Sequence, residues 1–225
     1  MKRYAIIVAG GKGSRMNTAL PKQFIDLCGR PVLMHTIDAF RSAVDDISIV
    51  LVLAEQEVER WNNLCRRHSF VSPEAIAYAG ATRFHSVLNG LSLIPSDADG
   101  LVAVHDGVRP LVSADMIRRS IDEAESHGAA VPVIPVVDSV RKVLTDGDSI
   151  SLTRSELRAV QTPQTFSLSL LRQAYSQPFS EHFTDDASVV EASGAKVSLY
   201  SGEISNIKIT HPIDLLIAQY YIDNQ

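Results

Sequence analysis

Apolar residues gather in short runs along this chain, separated by polar and turn-forming stretches. Strand-like runs recur at Tyr4–Val8, Ile47–Leu53, Ala75–Tyr78, Leu101–His105, Ala129–Val137 and Lys196–Tyr200. Short apolar runs bounded by turn signals suit buried strands. Between them, helix-like segments lie near Val32–Arg41, Glu55–His68, Arg83–Leu93, Ala114–Ser126 and Leu168–Ser176. This alternation implies βαβ units, and right-handed crossovers put helices on both faces of the sheet. The expected fold class is α/β, with a mostly parallel twisted sheet. Ligands of such sheets sit outside the carboxyl ends of the strands. The segments after Val8, Tyr78 and His105 therefore converge on one edge.

Residues 138–161 depart from the pattern. Val140–Leu144 and Ile150–Thr153 flank Thr145-Asp146-Gly147-Asp148, and an Asp-Gly pair between strand-like runs signals a hairpin. A lone hairpin is marginally stable in water and needs a surface to pack on. On its residues alone the hairpin reads as an ordinary surface excursion. No linker or repeat divides the rest, so residues 1–225 are expected to form one domain.

Composition narrows the partners. The formal net charge of −5 argues against nucleic-acid or anionic-membrane binding, so an anion site must be built locally. The longest apolar run, Ala129–Val137, is nine residues with two prolines, against the roughly twenty that a bilayer requires. The run after Lys2-Arg3 is cut short by Gly10, which argues against a signal peptide. Cys28 and Cys65 fit no zinc or redox spacing and read as free thiols of a reducing compartment. A soluble, cytoplasmic protein is the expectation.

The most chemical stretch follows the first strand. Ala9-Gly10-Gly11-Lys12-Gly13-Ser14-Arg15 places three glycines within four residues, and Lys12, Arg15 and Lys22 add cations. Glycines expose backbone N–H groups to an anion, so the loop reads as a phosphate site. It is not a P-loop, because Lys12 is followed by Gly13 rather than Ser or Thr. Nor is it a dinucleotide fingerprint, because Met16 stands where the third glycine belongs.

Gly10-Gly11-x-Gly13-x-Arg15-Met16 followed by Pro21-Lys22-Gln23 resembles the signature of sugar-phosphate nucleotidylyltransferases. The Pro-Lys-Gln-Phe form is similar to the 2-C-methyl-D-erythritol 4-phosphate cytidylyltransferases of the non-mevalonate isoprenoid pathway. His105-Asp106-Gly107-Val108-Arg109-Pro110, Gln161-Thr162-Pro163-Gln164 and Asn206-Ile207-Lys208-Ile209-Thr210 match that family in order and spacing. The resemblance implies a Rossmann-like nucleotidyltransferase domain, a homodimer with residues 138–161 as its arm, and Mg²⁺. The implied reaction joins a sugar-alcohol phosphate to the α-phosphate of CTP, with pyrophosphate leaving. Such transfer depends on positioning and fixed cations, so the absence of a nucleophilic triad is consistent with it.

By the same resemblance, Ala9, Gly10, Gly11, Gly13 and Ser14 hold the nucleotide, while Arg15 and Lys22 stabilise the pentacoordinate α-phosphate. Gly80, Ala81, Arg83 and Ser86 match the segment that holds the base. Ala81 departs from family members with an acidic residue there, so base recognition rests on backbone groups and Ser86. Asp106 is the nucleotide-side carboxylate and the candidate Mg²⁺ ligand, suited to one carboxylate plus phosphate oxygens; an Asx-type turn is its simpler reading. Arg109 and Lys208 are placed by the family at the sugar phosphate, with Lys208 on a short strand, and Ser139 and Arg154 approach from the arm. Arg154 is expected to enter the partner's site. His105 is read as structural, and Asp185-Asp186 as a helix N-cap rather than a second metal site. The nearest rival is a ribitol-5-phosphate cytidylyltransferase. A non-catalytic nucleotide sensor is a further alternative, though it would need no transition-state cations.

Overall fold

Period-two alternation in the central strands divides the apolar residues between two cores. A computed structural model describes residues 1–11 and 20–224. Its strands are β1 (Arg3–Val8), β2 (Asp26–Leu27), β3 (Arg30–Pro31), β4 (Ser48–Leu53), β5 (Ala75–Tyr78), β6 (Leu101–Asp106), β7 (Ala129–Pro135), β8 (Arg141–Val143), β9 (Ser149–Ser151), β10 (Arg158–Val160), β11 (Gln164–Ser167) and β12 (Ser198–Ser201). Its helices are α1 (Val32–Ala43), α2 (Val58–Arg67), α3 (Arg83–Ser92), α4 (Ala114–His127), α5 (Leu168–Tyr175), α6 (Asp186–Ala192) and α7 (Pro212–Asp223).

The main sheet runs β10-β7-β11-β6-β1-β4-β5, and β12 joins β7. Tyr4 and Ile6 of β1, with Val50, Val52, Val102 and Val104, face the core under α3, α5 and α6. Ala5 and Ile7, with Ile49, Leu51 and Ala103, face the core under α1, α2 and α4. Helices thus cover both faces, as the alternation predicts. Each fully buried Ile or Leu contributes roughly 1.5–3 kcal/mol of transfer free energy, so the two layers fix which end of each strand carries a loop.

The parallel pairs are β1 with β4 and β6, β4 with β5, and β7 with β12. One strand departs from the expected topology. β11 lies antiparallel between β6 and β7, where a plain βαβ reading puts those two side by side. Its apolar content is low, yet Gln164 and Thr165 are completely buried. Their polar groups are matched: Thr165 donates to Ser120 at 3.0 Å, and Gln164 bridges to Asp185 at 2.9 Å. The C-terminal helix α7 also lacks a strand or helix signal in the periodicity, because its apolar residues run all round it.

The hairpin is present as β8 and β9, antiparallel, with Gly147 at φ 90° in its turn. Val137, Val143 and Ile150 along this segment are 79%, 73% and 47% exposed. No helix among the described residues is long and apolar enough to cross a membrane.

Candidate active site

The register of the parallel strands builds one edge. β1 and β6 pair so that Val8 stands opposite Asp106, and β4 and β5 end beside them. Backbone bonds from Ala9 to Val52, Ala79 to Leu53 and Gly107 to Val8 lock the three exits together. Gly10 is required by this closeness, since a Cβ there would stand 2.3 Å from that of Ala79. Gly80 is required likewise by His85, at 2.3 Å. The buried Gln23 amide donates to the Ala9 carbonyl at 2.7 Å and ties the Pro-Lys-Gln segment to the exit of β1.

A cavity of about 400 Å³ lies beside Ala9, Gly10 and Gly11. Ala9, Gly10 and Gly11 form one wall and Gly80, Ala81 and Ser86 another, with Lys22, Asp106 and Lys208 at one end. All nine are residues that the sequence reading assigned. Gly13, Ser14 and Arg15, with Lys12, fall outside the described residues. The Ser86 hydroxyl donates to the Thr82 carbonyl at 2.9 Å and accepts from Gly80 N–H at 3.1 Å. Its proton is therefore spent inside the protein, and what it offers a ligand is a lone pair.

A second cavity of about 280 Å³ adjoins the first through Arg83, Asp106 and Lys208. Arg109, Thr162, Gln164 and Asp185 form its far side. Three cations converge on Asp106 at the junction: Lys208 at 3.0 Å and Arg109 at 3.2 Å from Oδ2, and Arg83 at 4.0 Å from Oδ1. Burial alone would raise the Asp106 pKa, but Lys208, Arg83 and Arg109 outweigh it and hold the carboxyl well below the usual range. Asp106 is thus an anion at any physiological pH.

Lys208 reaches this point from an extended segment rather than the short strand that its alternation suggested. Residues 206–210 carry no sheet ladder. They run beside the loop after β6, held by Ile209 N–H to the Val108 carbonyl at 2.9 Å and by the Asn206 amide to Thr162 at 2.8 Å. An alternation persists nonetheless, with Ile209 buried and Lys208 exposed. Lys22 donates to the Ile209 carbonyl at 2.9 Å, which brings two of the assigned cations to one segment.

Arg109 is more structural than its assignment suggested. It is nearly buried, and its second bond goes to the Asn206 carbonyl at 2.8 Å. His105 is fully buried between the Thr162 hydroxyl at 3.0 Å and the Arg109 carbonyl at 3.3 Å, and burial pushes its pKa down to about 3. It is a neutral brace, as read from the sequence. Asp185 caps α6, accepting from Ser188 N–H at 2.9 Å. The sequence blocks therefore grip one another: the Asp106–Arg109, Gln161–Gln164 and Asn206–Thr210 stretches are hydrogen-bonded into one wall.

Two assigned residues are not brought here within this chain. Ser139 and Arg154 lie exposed in the arm region, and Arg154 donates to the Val137 carbonyl at 2.5 Å. Conversely, Thr162 and Gln164 line the second cavity without a role of their own having been read for them, and Arg83, matched only to the base-holding segment, borders both cavities; position within the matched blocks was their only signal.

The chain is similar to known proteins over nearly its whole length. Residues 4–224 match the family described as IspD, 2-C-methyl-D-erythritol 4-phosphate cytidylyltransferase. A protein of that name from Bacteroides thetaiotaomicron is 52% identical over 217 residues, covering 96% of this chain and 98% of the relative. The crystal structure of 4-diphosphocytidyl-2C-methyl-D-erythritol synthase from Anaerococcus prevotii superposes with a TM-score of 0.82 at 29% identity, covering 99% of this chain and 96% of that one. The 2-C-methyl-D-erythritol 4-phosphate cytidylyltransferase from Thermus thermophilus follows at 0.75 and 32%, covering 99% and 100%.

Proposed function

This chain belongs to the 2-C-methyl-D-erythritol 4-phosphate cytidylyltransferase family, and from that premise we propose that it transfers CMP from CTP to 2-C-methyl-D-erythritol 4-phosphate. The products are 4-diphosphocytidyl-2-C-methyl-D-erythritol and pyrophosphate, and the step belongs to isoprenoid precursor synthesis. The observation that carries this reading is the pair of adjoining cavities that share Asp106 and Lys208 at their junction. The first suits a nucleotide under backbone N–H groups; the second suits a smaller, phosphate-bearing acceptor.

Both reactants are anionic, so the barrier falls when fixed cations meet the charge that builds at the α-phosphate. Lys22 and Lys208, drawn to one segment through the Ile209 carbonyl, serve that purpose together with Arg15. In the resting protein Asp106 holds Lys208, and an arriving phosphate competes for it. The acceptor phosphate oxygen is already ionised near neutral pH, so no general base is needed, and His105, buried and neutral, is no candidate. The lone pair of Ser86 suits the amino group of cytosine.

Mg²⁺ fits one position. Oδ2 of Asp106 is taken by Lys208 and Arg109, while Oδ1 has Arg83 only at 4.0 Å and borders both cavities. One carboxylate oxygen completed by phosphate oxygens suits this ion. No cluster of three or more His, Cys, Asp and Glu among the described residues offers a cage. Bound there, the ion would supply neutralisation of the triphosphate charge.

The reading extends to a homodimer in the cytoplasm. The arm's exposed Val143 and Ile150, with Val137 just before it, call for a covering surface, and a twofold partner would give the same patch twice. Arg154 and Ser139 would then face the partner's acceptor cavity. Release of pyrophosphate from CTP, measured in parallel with methylerythritol phosphate and ribitol 5-phosphate, tests the function. Preference for ribitol 5-phosphate would replace the acceptor, and no turnover with either would point to a nucleotide sensor.

A further inference from the structure

The ion pair of Arg83 and Asp186 stands at the site with no part yet in its chemistry. Arg83 opens α3 and Asp186 opens α6, which brings the two helix N-termini together. The guanidinium forks onto the carboxylate, Nη1 to Oδ1 at 2.8 Å and Nη2 to Oδ2 at 2.6 Å. The Tyr175 hydroxyl donates to the same Oδ1 at 2.6 Å, and Asp186 is completely buried. The helix that carries Asp186 is fastened in turn to β11, through Gln164 to Asp185 at 2.9 Å and Ala187 N–H to Gln164 at 2.8 Å. A forked guanidinium on a fixed carboxylate has one orientation.

The remaining Nε stands 4.0 Å from Asp106 Oδ1, while Lys208 and Arg109 hold the other oxygen, Oδ2. Arg83 borders both cavities. Stability alone gives a weak reason for such a pair, because a buried ion pair is commonly no better than apolar residues of similar volume. Its place at the junction gives a stronger one. Without Arg83, the Asp106 carboxylate could turn and offer both oxygens to Lys208 and Arg109, holding Lys208 away from an incoming phosphate.

We infer that Arg83 is a positioning residue for the transfer reaction: gripped by Asp186 and Tyr175, it fixes the Asp106 carboxylate at the junction of the two cavities. This deepens the proposed cytidylyl transfer and rests on it. Loss of the grip should lower kcat by roughly 10- to 100-fold, the scale of a displacement of about 1 Å at a reacting site. KM for either substrate should change far less.

The test is a mutant cycle in the full chain. Arg83→Gln combined with Asp186→Asn removes both charges together and leaves no buried charge unpaired. Its kcat should fall as stated, and adding it to Asp106→Asn should cause no further loss, because the effect runs through Asp106. A merely structural role predicts losses that multiply. Wild-type kcat in the amide pair, or multiplied losses in the combined variant, overturns the inference while leaving the proposed function standing. A wild-type chain that transfers no CMP brings down both. Should the amide pair not fold, Tyr175→Phe keeps the ion pair and removes one bond from Asp186. Its smaller kcat loss must likewise vanish in the Asp106→Asn background; a loss that persists there, or no loss at all, overturns the inference.

Discussion

Lys208 and Arg109 grip the same oxygen of Asp106, yet their removal should have opposite signatures. Lys208 Nζ stands 3.0 Å from Oδ2, a separation at which Coulomb's law gives about 1.4 kcal/mol in bulk water and about 5.5 kcal/mol at an effective dielectric of about 20. The Lys208 side chain is 40% exposed, so screening and the entropy of a long side chain hold the net contribution to stability below about 1 kcal/mol. Lys208→Met keeps length and removes charge, and Asp106 retains Arg109 at 3.2 Å. For a domain of this size that predicts a Tm lowered by less than about 4 °C. The loss of a cation aimed at developing charge costs about 2.7–4 kcal/mol of barrier, so kcat/KM for the sugar phosphate should fall by roughly 100- to 1000-fold. Arg109→Met should do the reverse. Its side chain is only 11% exposed and also holds the Asn206 carbonyl, and breaking a buried pair costs about 3–5 kcal/mol of stability. Thermal unfolding and steady-state pyrophosphate release on both variants decide the matter. A Lys208→Met enzyme within about threefold of wild type would show that the ground-state ion pair is all that Lys208 provides.

Three further outcomes follow from the same structure. In the proposed dimer, mixing Arg154→Ala with Lys208→Ala should restore roughly a quarter of wild-type activity after subunit exchange, since half the dimers would carry one intact composite site; no recovery despite exchange would leave Arg154 serving its own subunit, where it holds the Val137 carbonyl, or no site at all. Gly10→Ala should push the glycine loop from Ala79 and raise KM for CTP with the fold intact, because the new Cβ would lie 2.3 Å from the Ala79 Cβ; an unchanged KM would show that the two walls can part freely. His105 is held neutral by burial, with a folded pKa of about 3, against about 6.5 in the unfolded chain. The unfolded state therefore binds the extra proton between these values, stability should fall as pH drops through that window, and His105→Gln should flatten that slope in urea titrations.

The alternation of apolar runs and helical stretches decided much of this protein without reference to its tertiary structure. A strand such as Tyr4-Ala5-Ile6-Ile7 projects successive side chains to opposite faces, so burial of both sets demands a layer of helices on each side. Three strand exits on one edge were legible for the same reason, as was the hairpin turn at Asp146-Gly147. The glycine wall of the first cavity was also legible, because glycines that permit close backbone approach stand out in sequence. What periodicity could not reveal was every place where polar groups satisfy one another in the interior. β11 is invisible to it, since buried Gln164 and Thr165 look like loop residues until Asp185, Ala187 and Ser120 supply their partners. α7 is missed because a helix apolar all round has no stripe to detect. Arg83 belongs with these. In sequence it belongs only to the stretch matched to the base, and it is the meeting of two helix N-termini, 103 positions apart, that joins it to Asp186 and brings its Nε to 4.0 Å from Asp106. Local pattern follows from the geometry of a single strand or helix; the pairing of charges depends on distances that exist only after the chain has closed.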